Sequence, residues 1–269
     1  MTKRRNNLIK KPKMDLFTLY EKAVMSPEAD MDFMINVFKK ETGKPPRFFR
    51  EDFCQTALLA CEFAKRNSQN QAWGVDLNGK SLSWAKKYNL ATLENRAKNV
   101  HLCKENVLSV KTPKMDMICS LNFSYFTFKD RKILKNYFKK TNKDLNKRGL
   151  FCLDIMGGPD TQEITEDRAR RGNFTYIWDQ VYFNPINHHL KCYIHFRLKS
   201  GKMIKRAFSY DWRLWSIPEI TDMLYDSGYR EVRIYWEDED KKGQGNGVYR
   251  HRRKAENTLS WVAYVLAFK

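Results

Sequence analysis

The hydrophobic positions of this chain change their period along its length. Asp15 to Lys40 is helical in spacing, with Phe33, Val37 and Phe38 on one face and a break at Ser26-Pro27. Pro45-Pro46 stops the helix, and Arg47 to Asp52 follows as a short strand. Ala57 to Arg66 is dense in good helix formers, Ala72 to Leu77 is an apolar strand, and Gly79 to Tyr88 a second helix. Val100 to Cys103 and Met115 to Leu121 are the next strands. Asp130 to Leu145 then carries Leu134, Tyr137, Phe138 and Leu145 on one helical face. Leu150 to Ile155 is a further apolar strand, closed by Gly157-Gly158-Pro159. Short apolar strands alternating with helices predict parallel βαβ units, so this half reads as an open α/β sheet.

After Arg170 the pattern switches to aromatic-rich runs with a period near two: Phe174 to Phe183, Leu190 to Leu198 and Ile204 to Tyr210. Asn184-Pro185 and Ser200-Gly201 separate them as turns, which predicts an antiparallel cap over residues 170–212. Ser216-x-x-Glu219 is a capping box opening a helix through Tyr225, and Gly228 suits its end. Glu231 to Trp236 and Leu259 to Phe268 supply two last strands, joined by the basic, Gly-containing block 241–254, which reads as a hairpin loop.

Composition narrows the partners. Of 269 residues 42% are hydrophobic, enough for a sizeable core, and the formal net charge is +19. Two readings of the charge stand: a polyanionic partner such as nucleic acid, or a uniformly basic surface. Basic residues concentrate in the first thirteen positions (MTKRRNNLIKKPK) and in the block KKGQGNGVYRHRRK. The start lacks the apolar core of a secretory signal, and no apolar run is long enough to span a bilayer, so a soluble chain with a solvated tail is expected. Six cysteines, with no C-x-x-C pair, sit mostly in apolar runs, which points to a reducing, cytoplasmic setting. The five histidines show no ligand spacing, and adjacent His188 and His189 on a strand face opposite ways, so no metal is expected.

In open α/β sheets ligands lie beyond the carboxyl ends of the strands. Four such ends are legible: Arg50-Glu51-Asp52-Phe53, Asp76-Leu77, Asn106-Val107 and Leu121-Asn122-Phe123. Asp76 ends an apolar strand at the distance after the first loop that suits an acid on a nucleoside ribose. With Asn78-Gly79 following, it also reads as a helix cap. The loop from Glu51 to Ala57 opens a helix but has no glycine, so a glycine-loop motif is absent.

The stretch FFREDFCQTALLACEF, followed by AWGVDLN, resembles a group of bacterial class I S-adenosylmethionine (SAM) methyltransferases whose first motif runs R-E-D-F-C-G-T-A. LNFSYFTF at 121–128, LDIMGGP at 153–159, AFSYDWRLWSIPEI at 207–220, GNGVY at 245–249 and WVAYVLA at 261–267 extend the likeness over nearly all of the chain beyond its basic start. The resemblance implies a Rossmann-like sheet with an antiparallel insertion after the fifth strand and a final antiparallel strand. The charge-rich composition of 1–14 reads as a basic flexible tail, and the resemblance implies a single methyltransferase domain over 15–269, with a helical lid at 15–45. It also implies SAM as the methyl donor, with S-adenosyl-L-homocysteine as product. Glu51 then stands for the acid that opens the SAM loop, with Phe53, Gln55 and Ala57 at its glycine positions; Gln55 departs from the group's Gly. Asp76 matches the ribose acid, Leu77 would lie against adenine, and Asn106-Val107 match the pair at the adenine edge. Leu121, Asn122 and Phe123 match the segment beneath the methionine moiety. Tyr20 either closes over SAM or is a core aromatic. Arg50 either binds the SAM carboxylate or pairs with Glu51 or Asp52, the cluster as a whole being read toward the ligand.

Methyl transfer from a sulfonium needs alignment more than acid–base groups, so no catalytic residue is assigned. Tyr125, Tyr182, Tyr210, Trp212, Arg213 and Trp215, in or near the cap, are candidates to face the acceptor; each also reads as ordinary packing. The expected function is methyl transfer by in-line displacement to an unidentified small molecule or protein. The alternatives are an RNA methyltransferase and a non-enzymatic RNA-binding protein on a degenerate SAM fold.

Overall fold

The computed structural model describes residues 11–239 and 245–269. Residues 1–10 of the basic tail and 241–244 of the basic loop therefore lie outside the described residues. The chain forms two compact units, residues 1–116 and 117–269.

The first unit opens with α1 (Leu16–Val24) and α2 (Pro27–Thr42). Asp15 caps α1 by accepting from the Phe17 N–H, and Pro27 occupies the first turn of α2, where its missing N–H costs nothing. Then come β1 (Phe48–Asp52), α3 (Leu58–Arg66), β2 (Gln71–Val75), α4 (Gly79–Tyr88), a 3-10 stretch over Leu90–Asn99 and β3 (Val100–Cys103). β1 pairs parallel with β2, and β2 parallel with β3. Phe49 of β1 packs on Phe63 of α3 at 5.2 Å between rings, and Ala60, Phe63 and Ala64 are fully buried. Asp116, at the start of β4 (Met115–Ser120), accepts the Arg47 and Phe48 N–H groups at 2.7 and 3.0 Å, satisfying the entry to β1. The 3-10 stretch has no counterpart in the sequence reading, because only Leu90 and Leu93 of it are buried apolar residues.

In the second unit β4 leads through α5 (Arg131–Asp144) to β5 (Leu145–Gly157). A four-stranded antiparallel sheet follows: β6 (Thr165–Arg171), β7 (Phe174–Asn184), β8 (His189–Leu198) and β9 (Met203–Arg213), in that order. The inserted sheet thus begins five residues before the position expected. β6 (TEDRARR) is an exposed or half-exposed edge strand whose charges leave no hydrophobic period to read, and charge on an edge strand also blocks pairing with other chains. α6 (Ile217–Tyr225) opens with the expected capping box: Ser216 and Glu219 bond each other's backbone N–H groups.

The last strands are β10 (Glu231–Glu239), β11 (Gly245–His251) and β12 (Trp261–Phe268). The sheet order is β11-β10-β12-β5-β4, with β12 antiparallel to both neighbours. The final antiparallel strand is present as expected. The basic block is in part a strand, β11, paired with β10, where a loop was expected.

All six thiols are free, five of them buried. Among the described residues no helix is long and apolar enough to cross a membrane, and no group of three His, Cys, Asp or Glu side chains is arranged around a metal position.

Gly157 and Gly158 end β5 where β12 begins. A Cβ on Gly157 would overlap the Trp261 ring, and Gly158 has φ +99° against the backbone of Thr258 and Leu259. Gly157→Ala should displace Trp261 and destabilise the fold by about 1–3 kcal/mol, the range for overpacking a closed contact. Urea unfolding followed by tryptophan fluorescence measures it.

Candidate cofactor site

β1 ends in three consecutive charged residues, and all three are buried. Desolvation makes unpaired charges there untenable, so each must find a partner or neutralise. Arg50 and Asp52 share one strand face and pair directly: Arg50 Nε is 2.9 Å from Asp52 Oδ1, and Nη2 is 3.2 Å from Oδ2. Arg50 Nη1 also donates to Thr112 Oγ1 at 3.2 Å. Both side chains are fully buried in this pair, so Arg50 meets Asp52, one of the partners the sequence offers it. Glu51 points to the other face, where its Oε2 accepts the Ala60 N–H at 2.8 Å in the first turn of α3. Burial, reinforced by Asp76, Asp30 and Glu21, pushes its pKa up to about 8 against the pull of the Ala60 N–H.

The loop after β1 has the backbone of a glycine loop without glycines. Phe53, Gln55 and Ala57 stand at φ 57°, 46° and 50°, left-handed at every second position. These are the three positions the resemblance matched to glycines. Each costs an L-residue roughly 1–2 kcal/mol, so other contacts must hold the loop. Asp76 supplies one: its Oδ2 accepts the Gln55 N–H at 2.8 Å, and its Oδ1 the Asn78 N–H at 2.7 Å. Gly74 of β2 supplies the room. A Cβ there would lie 3.0 Å from both the Ala57 Cβ and the Cys54 Sγ, so the loop's side chains fill space that this glycine leaves. Asn78, not Asp76, caps α4.

The N-terminal helices reach the same loop. Asn89 Nδ2 donates to Glu21 Oε1 at 2.8 Å and to the Thr56 carbonyl at 2.9 Å, and Glu21 also binds Lys11 at 2.7 Å. Tyr20, next to Glu21, is 7% exposed, in keeping with a core aromatic. Around the loop the polar atoms Thr18 Oγ1, Gln55 Oε1, Thr56 Oγ1 and Asn89 Oδ1 are buried with no hydrogen-bond partner among the described residues. Such a concentration of unsatisfied polar atoms is the environment a polar ligand can complete. Leu77 is 66% exposed just past β2. Asn106 is exposed and uses its Oδ1 on the Leu108 N–H, while Val107 is buried. Asn89 and Gly74 escaped the sequence reading; the Gly in AWGVDL, two residues before Asp76, was the signal for the second.

In the second unit Leu121, Asn122 and Phe123 are half-buried, and Asn122 and Phe123 are again left-handed, at φ 56° and 55°. One carboxylate holds both: Asp154 of β5 accepts the Asn122 N–H at 2.6 Å and the Phe123 N–H at 2.9 Å. Asp154 was quoted in the LDIMGGP match but given no role.

The acceptor-facing candidates divide. Tyr125 is fully buried against Phe126 and Phe138, so it is a core residue, with burial raising its pKa well above the usual phenol value. Trp215 is 1% exposed and donates from Nε1 to the Phe128 carbonyl, and it lines a cavity of the second unit together with Met156, Pro159 and Trp261. Arg213 is engaged by Glu219 at 3.0 Å and lies 3.7 Å over the Trp215 ring. Tyr182 is 40% exposed beside His189. Tyr210 and Trp212 sit 4.3 Å apart, and Trp178, absent from the sequence reading, lies 5.8 Å from Tyr210. Trp212 meets Phe123 edge-on at 6.3 Å.

Solved structures of similar fold include SAM-dependent methyltransferases. The chain is similar to such an enzyme from Clostridium acetobutylicum ATCC 824, with 18% identity, coverage of 93% of this chain and 96% of that one, and a TM-score of 0.68. It is similar to SAM-bound CalS10, an amino pentose methyltransferase from Micromonospora echinaspora (11% identity, 97% and 99% coverage, TM-score 0.64). It is also similar to the sugar N-methyltransferase KedS8 from Streptoalloteichus sp ATCC 53650 (12% identity, 100% and 97% coverage, TM-score 0.62). At these identities the likeness establishes the fold: a Rossmann-like α/β methyltransferase architecture with an added antiparallel sheet. No family model and no curated protein matches the chain.

Two outcomes follow from the loop and from Glu51. Gln55→Gly relieves a left-handed L-residue at a modest entropic cost, so it should stabilise the protein by about 0.5–1 kcal/mol in chemical unfolding. Glu51 has an ordinary pKa of 4.5 and a folded value of about 8. Between those values the folded chain binds more protons than the unfolded one, so stability falls as pH rises through that window and levels off above it. Glu51→Gln, which keeps an acceptor for the Ala60 N–H, should flatten this fall and leave the variant more stable than wild type above pH 8, as unfolding curves at either end of the window would record.

Proposed function

We propose that the protein is a SAM-dependent methyltransferase whose acceptor is a small molecule. The observation that carries this reading is the Asp76 carboxylate bonded to the amide of Gln55 in a loop left-handed at residues 53, 55 and 57. That loop reproduces with ordinary residues the conformation that glycines give in nucleotide sites.

The residues of the first unit fit the cofactor. Asp76 spends one lone pair of each oxygen on the backbone and keeps others for ribose hydroxyls. Gln55 Oε1 and Thr56 Oγ1 are buried acceptors without partners among the described residues, suited to an ammonium or hydroxyl. Leu77 offers an exposed apolar face to an adenine, with Asn106-Val107 at its edge. Glu51 and the Arg50–Asp52 pair shape the loop from beneath.

When bound, SAM supplies a methyl group on a sulfonium, open to in-line displacement by an acceptor lone pair. This chain's contribution is then alignment and exclusion of water, and no residue is needed as an obligatory base unless the acceptor must lose a proton. The similarity to CalS10, an amino pentose methyltransferase, and KedS8, a sugar N-methyltransferase, favours a small acceptor over RNA.

Isothermal calorimetry with SAM and with S-adenosylhomocysteine tests the proposal. Wild type should bind both, and Asp76→Ala should weaken both by at least about tenfold, a loss of roughly 1.4 kcal/mol or more. Absence of binding to wild type would overturn the reading. Unchanged affinity in Asp76→Ala would displace the site from β2.

A further inference from the structure

The described part of the second basic block, residues 245–254, takes no part in the proposed cofactor site, and the fold sorts its charges by face. In the antiparallel pairing of β10 with β11, Arg250 stands opposite Trp236, while Tyr249 stands opposite Glu237 and His251 opposite Tyr235. Side chains alternate along a strand, so Arg250 shares the Trp236 face and Tyr249 and His251 take the other. Arg252 is tied to β10 in turn. Its N–H donates to the Ile234 carbonyl at 2.9 Å, and its Nη2 meets Asp238 Oδ1 at 2.8 Å, beside the Arg250–Asp238 pair at 2.7 Å.

At this place there is a cavity of about 300 Å³, at the small end of ligand-binding volumes. It lies within the second unit alone, between β10, the start of α6, the start of β12 and the segment 252–257. Trp236 and Trp261 form its apolar wall, half-buried with their rings 4.7 Å apart, and Ile217 and Ile234 stand beside them. Trp261 rests on Gly157, where no Cβ fits. A wall packed in this way loses little side-chain freedom when a flat ring settles on it.

The segment 252–257 adds three cations to the lining, Arg252, Arg253 and Lys254, and one acid, Glu256. Arg252 is taken by Asp238, whereas Arg253 and Lys254 are exposed and pair with no acid among the described residues. Counted with Arg250 and Asp238, four cations stand against two carboxylates, which leaves two positive charges uncompensated. The adjoining cavity shares Ile217, Asn257 and Trp261, but its Glu163 and His188 are not part of this lining. Two free cations beside an indole wall match a phosphate monoester on an aromatic body. The phosphoryl group carries roughly −1.5 to −2 charges at neutral pH, a guanidinium fork fits its oxygens, and the indoles take the ring. A carboxylate would leave one of the two cations unmatched.

We infer that this cavity binds a small aromatic phosphate, its ring against Trp236 and Trp261 and its phosphate at Arg253 and Lys254. None of the lining residues belongs to the proposed cofactor site, so this site stands or falls apart from the SAM reading.

1-Naphthyl phosphate, 1-naphthol and inorganic phosphate present the ring with the anion, the ring alone and the anion alone. Titrated into the full-length protein, 1-naphthyl phosphate should bind at least about tenfold tighter than either of the others, the scale of one charge-assisted hydrogen bond. Added salt should narrow its lead over 1-naphthol. Arg253→Gln combined with Lys254→Gln, both at exposed positions, should bring 1-naphthyl phosphate down to the affinity of 1-naphthol with the thermal midpoint unchanged. Trp236→Leu should weaken 1-naphthyl phosphate and 1-naphthol by a similar factor and leave inorganic phosphate as it was. A 1-naphthyl phosphate affinity no better than that of inorganic phosphate would reduce the cations to an ordinary basic surface and overturn the inference. So would a lead over 1-naphthol that survives the double substitution, or no binding of 1-naphthyl phosphate at all.

Discussion

Asp76 accepts a backbone N–H from each side of the gap between the first loop and the turn into α4, and on that pair of bonds the conformation of residues 53–57 depends. Three L-residues in left-handed backbone would otherwise relax, at a combined gain of several kcal/mol. The loop survives because its cost is met from three directions: the carboxylate in front, the space left by Gly74 behind, and Asn89 linking the Thr56 carbonyl to Glu21 of α1. The glycine that makes room for the loop stands in the neighbouring strand, and the loop itself has none.

The same device recurs in the second unit. There Asp154 holds the left-handed pair Asn122 and Phe123 through their N–H groups. Successive N–H groups turned to one side form a concavity that prefers an anion, and at Asn122 and Phe123 the Asp154 carboxylate occupies it. Phe123, held in this way, meets Trp212 edge-on.

Charge in this protein is distributed by what burial allows. Arg50 and Asp52 neutralise each other inside the sheet, and Glu51 is driven toward the neutral form by burial among other acids. The excess of cations lies outside, on exposed positions such as those of β6, β11 and the residues after it.

Periodicity in the sequence was enough to locate most elements, because a buried helix face or strand face repeats its apolar residues by geometry alone. α4 and β3 match their expected bounds, and Ser216-x-x-Glu219 is the capping box its spacing implied. Edge strands are the failures: β6 and β11 bury almost nothing and so leave no pattern. For the site, strand ends and spacing sufficed to single out Asp76, since both are properties of the chain. Partnerships were not legible. Whether Arg50 meets a ligand or Asp52, whether Tyr125 faces solvent or core, and how a loop without glycine keeps a glycine conformation all depend on atoms distant in sequence. Thr112, Phe138 and Gly74 decide those cases, and only the folded chain brings them within reach.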